Sequence, residues 1–130
     1  MDKQINNGMK NNPYWKHIGL KEIELREGTA ILELPIIYEI TQSRGNVHGG
    51  VIASLVDAAV GAALRSLLPD GKAGVTVELK VNYLRPASGD KLIAKGRVIK
   101  KGNSLVVGEA TILNDEEKEV AVGLVTYILN

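Results

Sequence analysis

The residues best suited to chemistry lie in one short stretch, which contains His48-Gly49-Gly50 and the carboxylate Asp57. Two glycines at the start of a helix leave backbone N–H groups uncovered and let a ligand approach closely. The N-terminus of a helix carries partial positive charge, which would stabilise a developing oxyanion such as an attacked thioester carbonyl. Alone, the motif is weak, because a glycine turn that only the fold requires would look the same. An acid about two helical turns further on strengthens the catalytic interpretation.

The carboxylate Asp57 interrupts a segment, residues 50–68, in which nearly every other residue is apolar or small. Burying a charged side chain is costly unless it is paired or hydrogen-bonded. The structural explanations are a solvated stripe on the helix or a bond to Arg65 or Lys80. Because the neighbours of Asp57 within one helical turn form no charged face, a functional carboxylate is favoured.

Three polar side chains could assist Asp57. His48 could act as a base or orient a neighbour, although its position nine residues before Asp57 does not assure a dyad on one helix face. Gln42 has an amide, which cannot transfer protons but can hold a water or a carbonyl. Thr76 offers a hydroxyl on the side of its strand that alternation predicts to be polar.

Basic and polar side chains at predicted strand ends could hold the phosphates of an anionic ligand. An ordinary solvated surface explains each of them singly at least as well. The set consists of Arg85, Lys100, Lys101, Asn103 and Ser104.

Composition argues against several classes of function. The chain has 130 residues, a net charge of +1 and no cysteine, so no nucleic-acid partner, disulfide framework or thiolate metal site is expected. It has two histidines and no HExxH spacing, and it lacks dinucleotide and P-loop motifs. No metal ion or bound cofactor is therefore expected. No serine lies in a GxSxG elbow, so serine-hydrolase chemistry is not indicated.

The polar N-terminus, residues 1–13, is interpreted as a mobile arm and not as a signal peptide. Residues 14–130 are predicted to form a single domain. Because the apolar segment contains Asp57 and Arg65, a buried helix is favoured over a membrane span. With no targeting signal and no cysteine, a cytoplasmic location is expected.

Hydrophobic periodicity predicts one long helix and six strands. The segment 50–68 is apolar around most of its circumference, which is typical of a core helix, and Pro69-Asp70-Gly71 ends it. Strands are predicted over residues 20–25, 29–34, 75–84, 92–100, 104–113 and 120–129, and a helical turn over 14–19. An antiparallel sheet curled around the helix, an α+β architecture, is the economical way to bury these faces.

The third predicted strand alternates cleanly between apolar and polar residues. A period of two puts alternate side chains on opposite faces of a sheet. The pattern therefore predicts one face with Val75, Val77, Leu79, Val81 and Tyr83, and the other with Thr76, Glu78, Lys80 and Asn82.

Two stretches, GNVHGGVIASLVD from Gly45 to Asp57 and GVTVELKVNYLRP from Gly74 to Pro86, resemble the hotdog-fold acyl-CoA thioesterases. The resemblance is to the phenylacetate-pathway type within the 4-hydroxybenzoyl-CoA thioesterase superfamily, and it extends from near His17 to the C-terminus. It implies a six-stranded antiparallel sheet wrapped around a central helix. It also implies hydrolysis of an acyl- or aryl-CoA thioester to the free acid and CoA.

The resemblance implies a role for each matching residue. Asp57 would be the general base or nucleophile, the Gly49 amide would polarise the thioester carbonyl, and His48 would orient the loop and the substrate. Gln42 falls on a polar position of the family, and Thr76 on a hydroxyl position that helps to place water. Substrate and CoA contacts would come from Gly50, Arg85, Lys101, Asn103 and Ser104.

The resemblance also implies a homo-oligomer. Family members form dimers whose sheets join, and the dimers usually pair into tetramers. The site lies between subunits, with the His-Gly-Gly loop from one chain and the acid from the other.

Two other functions remain open at the level of sequence. One is a non-catalytic acyl-CoA-binding hotdog module, against which stands the intact set of polar residues around Asp57. The other is a hotdog enoyl-CoA hydratase, which would need an Asp/His pair at a different spacing.

Overall fold

The computed structural model describes residues 12–130, which contain a short 3₁₀-helix at Tyr38–Ile40 and, as the main elements, two α-helices and six strands. In chain order they are α1 (Pro13–Ile18), β1 (Lys21–Arg26), β2 (Thr29–Pro35), α2 (Gly49–Arg65), β3 (Gly74–Tyr83), β4 (Lys91–Lys101), β5 (Leu105–Leu113) and β6 (Glu119–Leu129). The strands form one antiparallel sheet in the order β1-β2-β4-β5-β6-β3. The predicted α+β architecture, a sheet wrapped around one long helix, is confirmed.

The long helix α2 ends at Arg65, three residues before the predicted end at residue 68. Ser66 Oγ donates to the Ala63 carbonyl at 2.6 Å and accepts from the Gly28 N–H at 2.8 Å, which ties the end of the helix to the β1–β2 turn. Pro69 further disfavours helical geometry in the residue before it. Within the described residues, α2 included, no helix is long and apolar enough to cross a membrane.

The buried face of α2 packs directly on the middle of the sheet. Leu55, Val56 and Ala59 are fully buried there. A Cβ atom on Gly96 of β4 would lie only 2.4 Å from the Ala59 carbonyl oxygen, so the helix could not approach this closely over any other residue. The close contact fixes the height of α2, and hence of Asp57, above the central strands.

The edge strand β3 contains a β-bulge between Thr76 and Glu78. Thr76 pairs with Tyr127, and Leu79 pairs with Val125; both partners are buried against the helix. The extra residue in the bulge reverses the alternation, so Thr76 shares the helix-facing side with Leu79. The predicted faces of this strand are therefore wrong for Thr76 and for Val75, which pairs with the exposed Ile128 on the outer side.

The predicted helical turn over residues 14–19 is confirmed as α1, followed by Gly19 in the left-handed conformation. The Asn12 side chain accepts a hydrogen bond from the Trp15 N–H at the start of this helix. The Tyr14 hydroxyl lies 3.1 Å from Ser54 Oγ, which connects α1 to α2. The rest of the predicted N-terminal arm, residues 1–11, lies outside the described residues.

Candidate active site

The carboxylate of Asp57 is held by two hydroxyl groups from the edge of the sheet. Asp57 is half-buried in the middle of α2. Its Oδ1 atom accepts one hydrogen bond from Thr76 Oγ1 at 2.8 Å and another from the Tyr127 hydroxyl at 2.7 Å. Among residues 12–130, neither a hydrogen bond to Oδ2 nor an ion pair to this carboxylate is formed. Among the described residues, one carboxylate oxygen is thus anchored by two hydroxyl groups and the other has no hydrogen bond.

The basic residues that could have neutralised Asp57 have other partners. Arg65 forms an ion pair with the fully buried side chain of Glu22, and burial lowers the pKa of Arg65 from its ordinary value. Lys80 donates to Asn82 Oδ1 at 2.8 Å on the outer face of β3. The structural alternative for Asp57, a bond to Arg65 or Lys80, is therefore wrong.

Tyr127 keeps its proton in this environment. Burial raises the pKa of its phenol well above the ordinary value, and the negative charge of Asp57 and the hydrogen bond to it raise this pKa further. The Tyr127 hydroxyl is therefore a donor throughout the physiological pH range.

A cleft of about 750 Å³ opens beside these three side chains. It runs between α1, the exposed side of α2, the connection after α2 and the first residues of β3. Asp57, Gly61 and Arg65 line it along the helix, which corresponds to about 12 Å at a rise of 1.5 Å per residue, and Leu68 extends the cleft beyond the end of α2. Trp15 of α1 forms part of the opposite wall. The cleft is long enough to accept an extended group with one end at Asp57.

His48 is the N-cap of α2 and does not contact Asp57. The Nδ1 atom of its ring accepts a hydrogen bond from the Gly50 N–H at 2.8 Å, and its backbone N–H donates to the Ile40 carbonyl at 2.8 Å. The imidazole is exposed. The Nδ1 atom of His48 is thus already used to hold the start of the helix.

Gly49 is the first residue of α2, and the Tyr83 hydroxyl donates to its carbonyl at 2.6 Å. Within the described part of the chain its N–H has no acceptor, so this donor is available to a ligand. Gly49 precedes Asp57 by eight residues, or about 12 Å along the helix. In one chain, the two groups are too far apart to act on the same carbonyl.

Gln42 hydrogen-bonds within its own loop. Its Oε1 atom accepts from the Arg44 N–H, and its backbone N–H donates to the Asn46 carbonyl at 2.8 Å. An isolated bridge between Thr41 and Val47 closes the loop. Gln42 therefore shapes the approach to His48, and no hydrogen bond joins it to Asp57.

The predicted phosphate-binding residues lie at opposite ends of β6. Arg85 Nε donates to the Glu119 carbonyl at 2.8 Å at the start of that strand. The turn that contains Lys101, Asn103 and Ser104 lies at its other end, where the Leu129 N–H donates to the Ser104 carbonyl at 2.8 Å. The ten residue steps from Glu119 to Leu129 span about 33 Å at 3.3 Å per residue. One chain does not bring these residues together around a single ligand.

Residues 44–121 match the Thioesterase superfamily. The chain belongs to this superfamily. It is 38% identical over 117 residues to a protein of Halobacterium salinarum whose name provisionally marks it as an esterase, with 82% of this chain and 77% of that protein covered. It is 30% identical over 114 residues to the acyl-coenzyme A thioesterase PaaI of Escherichia coli, with 87% of this chain and 79% of PaaI covered.

Solved structures of thioesterases superpose on nearly all of the chain. A thioesterase family protein from Silicibacter pomeroyi has a TM-score of 0.92 at 30% identity, with 98% of this chain and 96% of that chain covered. The E. coli PaaI structure has a TM-score of 0.87 at 28% identity, with 97% and 91% covered. The hotdog fold and the resemblance to acyl-CoA thioesterases are confirmed, and with them the expectation of an enzyme of the thioester hydrolase class.

In this thioesterase, the residue that sequence reasoning missed is Tyr127. It is distant in sequence from Asp57, and its strand shows only alternation. One signal was available: a tyrosine that alternates with the apolar Val125 must face the core, and a buried phenol needs a hydrogen-bond partner. Asp57, the acid of the core helix, is the side chain that accepts this hydrogen bond in the structure.

Proposed function

We propose that the protein hydrolyses acyl-CoA thioesters to the free acid and CoA, with Asp57 as the acid residue of the site. The observation that carries the proposal is the Asp57 carboxylate, anchored at Oδ1 by Thr76 and Tyr127 on the wall of a cleft. Membership of the Thioesterase superfamily supports the reaction class.

The chemistry uses the free Oδ2 atom of Asp57 and the N–H of Gly49. Oδ2 takes a proton from a water molecule whose oxygen attacks the thioester carbonyl, or attacks that carbon itself; on the second route a water molecule then hydrolyses the resulting acyl–Asp57 anhydride to the free acid and restores the carboxylate. The Gly49 N–H at the helix N-terminus stabilises the oxyanion. The C–S bond then breaks, and the CoA thiolate leaves and takes up a proton. His48 holds the first turn of α2 so that the Gly49 N–H points at the substrate.

The site is proposed to form between two chains joined along β3. This strand is an edge of the sheet, and its unpaired backbone groups are a template for another strand. Val75 and Val77 are 55% exposed and Tyr83 53% exposed along it. Antiparallel pairing about a two-fold axis near Leu79 would place Tyr83 opposite the partner's Val75.

Such pairing would bring the Gly49 N–H of one chain close to the Asp57 carboxylate of the other. Tyr83 contacts Gly49, whereas Thr76 contacts Asp57, at opposite ends of β3. In an antiparallel pair, the Gly49 end of one chain approaches the Asp57 end of the other. The separation of about 12 Å within a single chain then ceases to be an obstacle.

The same pairing supports CoA binding by residues of both chains. Arg85 follows the Tyr83 end of β3, whereas Lys101, Asn103 and Ser104 lie at the Val75 end of the sheet. Two relatives that are each 26% identical support this ligand: one from Streptococcus pneumoniae was solved with coenzyme A, and one from Streptococcus mutans with acetyl CoA.

A second apolar surface supports pairing of the dimers into a tetramer. Val75, Ile128 and Leu105 lie in one row across β3, β6 and β5 on the outer face, each more than 40% exposed. The phenylacetate-pathway subtype and a cytoplasmic location remain part of the proposal, with the cleft along α2 as the acyl pocket.

The test is thiol release from a panel of aryl- and fatty acyl-CoA by wild type, Asp57→Asn and Asp57→Ala. Both variants are expected to lose about 10²–10⁴-fold in kcat, the usual range for a general acid or base. Asp70→Asn is the matched control, because Asp70 is an exposed acid of the same cleft. Unchanged turnover of folded Asp57 variants would show that Asp57 is not the catalytic acid.

The same panel distinguishes the other functions. Tight CoA binding by the wild type without thiol release would favour the non-catalytic acyl-CoA-binding module. Loss of conjugation in an enoyl-CoA, again without thiol release, would favour a hydratase.

A further inference from the structure

We infer that Tyr127 and Gly61 act together as positioning residues that hold the Asp57 carboxylate in its reactive orientation. The inference rests on the proposed function of Asp57 and adds two residues to the site. Both residues lie at the side of α2 that borders the cleft, and the ring of Tyr127 is also buried in the core.

The contacts of Tyr127 are concentrated on Asp57. Its hydroxyl lies 2.7 Å from Asp57 Oδ1 and 2.7 Å from the Asp57 backbone carbonyl oxygen. The single phenol proton is therefore shared between the carboxylate and the carbonyl oxygen of the same residue, which ties the carboxylate to its own turn of the helix. Thr76 donates to the same Oδ1 atom from β3, so both hydroxyls are on one side of the carboxylate.

This arrangement leaves Oδ2 as the reactive atom. With two donors on Oδ1, rotation of the carboxylate would break both hydrogen bonds. Because the raised pKa of Tyr127 keeps the phenol protonated, the donor is not lost as the site changes charge during turnover. Thr76 alone would leave the carboxylate free to pivot about one contact.

Gly61 provides the space that this contact needs. It lies four residues after Asp57, on the same face of α2. A Cβ atom on Gly61 would be 2.8 Å from the Tyr127 hydroxyl oxygen but 3.6 Å from the ring carbon that bears it. Any side chain at position 61 therefore collides with the hydroxyl and not with the ring. Alanine there would push the hydroxyl away from Asp57.

The primary test is Tyr127→Phe, which removes the hydroxyl and keeps the ring. We expect kcat for thiol release to fall at least about 10-fold while KM changes less than about 3-fold, because the hydroxyl positions the base and does not bind substrate. Tyr14→Phe is the matched control, since it also removes a phenol hydroxyl that bonds to α2, at Ser54. Thr76→Val should lower kcat in the same way, whereas Thr76→Ser, which keeps the hydroxyl, should have a kcat near that of wild type.

A double-mutant cycle tests Gly61. In the wild-type background, Gly61→Ala is expected to lower kcat about as much as Tyr127→Phe does. In the Tyr127→Phe background, the added methyl group meets no oxygen, so it should cost less than about 2-fold. Equal losses in the two backgrounds, accompanied by equal losses of Tm, would mean that Gly61 has only a packing role and would overturn the inference for it.

The orientation of Asp57 supplies a readout that does not depend on activity. A crystal structure of Tyr127→Phe should show the carboxylate turned away from its wild-type position. An unchanged carboxylate, or an unchanged kcat, overturns the positioning role. An absence of thiol release by the wild type overturns the proposed function, whereas the orientation in the variant still decides the role of Tyr127.

Discussion

Replacement of Gly49 by proline would delete the proposed oxyanion donor with little disturbance of the fold. Gly49 is the first residue of α2, where proline is well tolerated because its missing N–H has no partner in the helix. The preceding residue, His48, has φ −60° and ψ 136°, which is the conformation favoured before proline. The His48 Nδ1 bond to the Gly50 N–H involves a different amide and should persist.

The expected loss is large and specific to the chemical step. Removal of one oxyanion donor typically lowers kcat about 10²–10³-fold, or about 2.7–4 kcal/mol. Gly49→Ala is the control, because it keeps the N–H and its Cβ atom would lie at an ordinary 3.4 Å from the Tyr83 ring. Thiol release should therefore collapse in Gly49→Pro and stay within about 3-fold of wild type in Gly49→Ala, with Tm near wild type in both. Equal kcat in the two variants would refute the oxyanion role of Gly49.

The same variant tests whether the site is shared. Gly49→Pro and Asp57→Asn chains are each expected to be inactive alone. After mixing and reassociation, hybrid dimers would contain one site with both groups intact, which restores roughly a quarter of wild-type activity for random pairing in a two-fold dimer. No recovery in verified hybrid dimers would place both groups in a single chain and contradict the β3 dimer.

Three further outcomes follow from the structure. Leu79→Asp at the centre of β3 should convert the oligomer to monomers and abolish thiol release, whereas Lys80→Asp on the outer face should not; light scattering with chromatography would separate these cases. Leu68→Ala at the far end of the cleft should raise KM several-fold for long acyl groups only, while Leu67→Ala, beside the β1–β2 turn, should not change the chain-length profile. The folded-state pKa of Tyr127 is raised above its ordinary value of 10.0. Above pH 10 the unfolded state therefore loses this proton while the folded state keeps it. The free energy of unfolding should consequently fall as pH rises above 10. Urea titrations should show a steeper fall in wild type than in Tyr127→Phe, because the other tyrosines and the lysines titrate in both; equal slopes would contradict the prediction.

Much of the fold was predictable because its signals are local. The strands are apolar or alternating segments bounded by turn residues, and α2 is an apolar segment between a glycine entry and a proline exit. These patterns placed all six strands within one or two residues of their observed bounds. They overran the end of α2 because the stop depends on Ser66, whose partner Gly28 lies in a distant turn.

The sequence by itself determined the two groups proposed to act on the substrate: an uncovered amide at the start of α2 and one acid in an otherwise apolar helix. Only the tertiary structure decided what surrounds that acid. The bulge in β3 turned Thr76 toward Asp57 against the expected alternation, and the pairing of β3 with β6 brought Tyr127 to the same oxygen. These contacts join residues far apart in the chain, and strand register and bulges depend on packing between strands and not on the periodicity of any single strand.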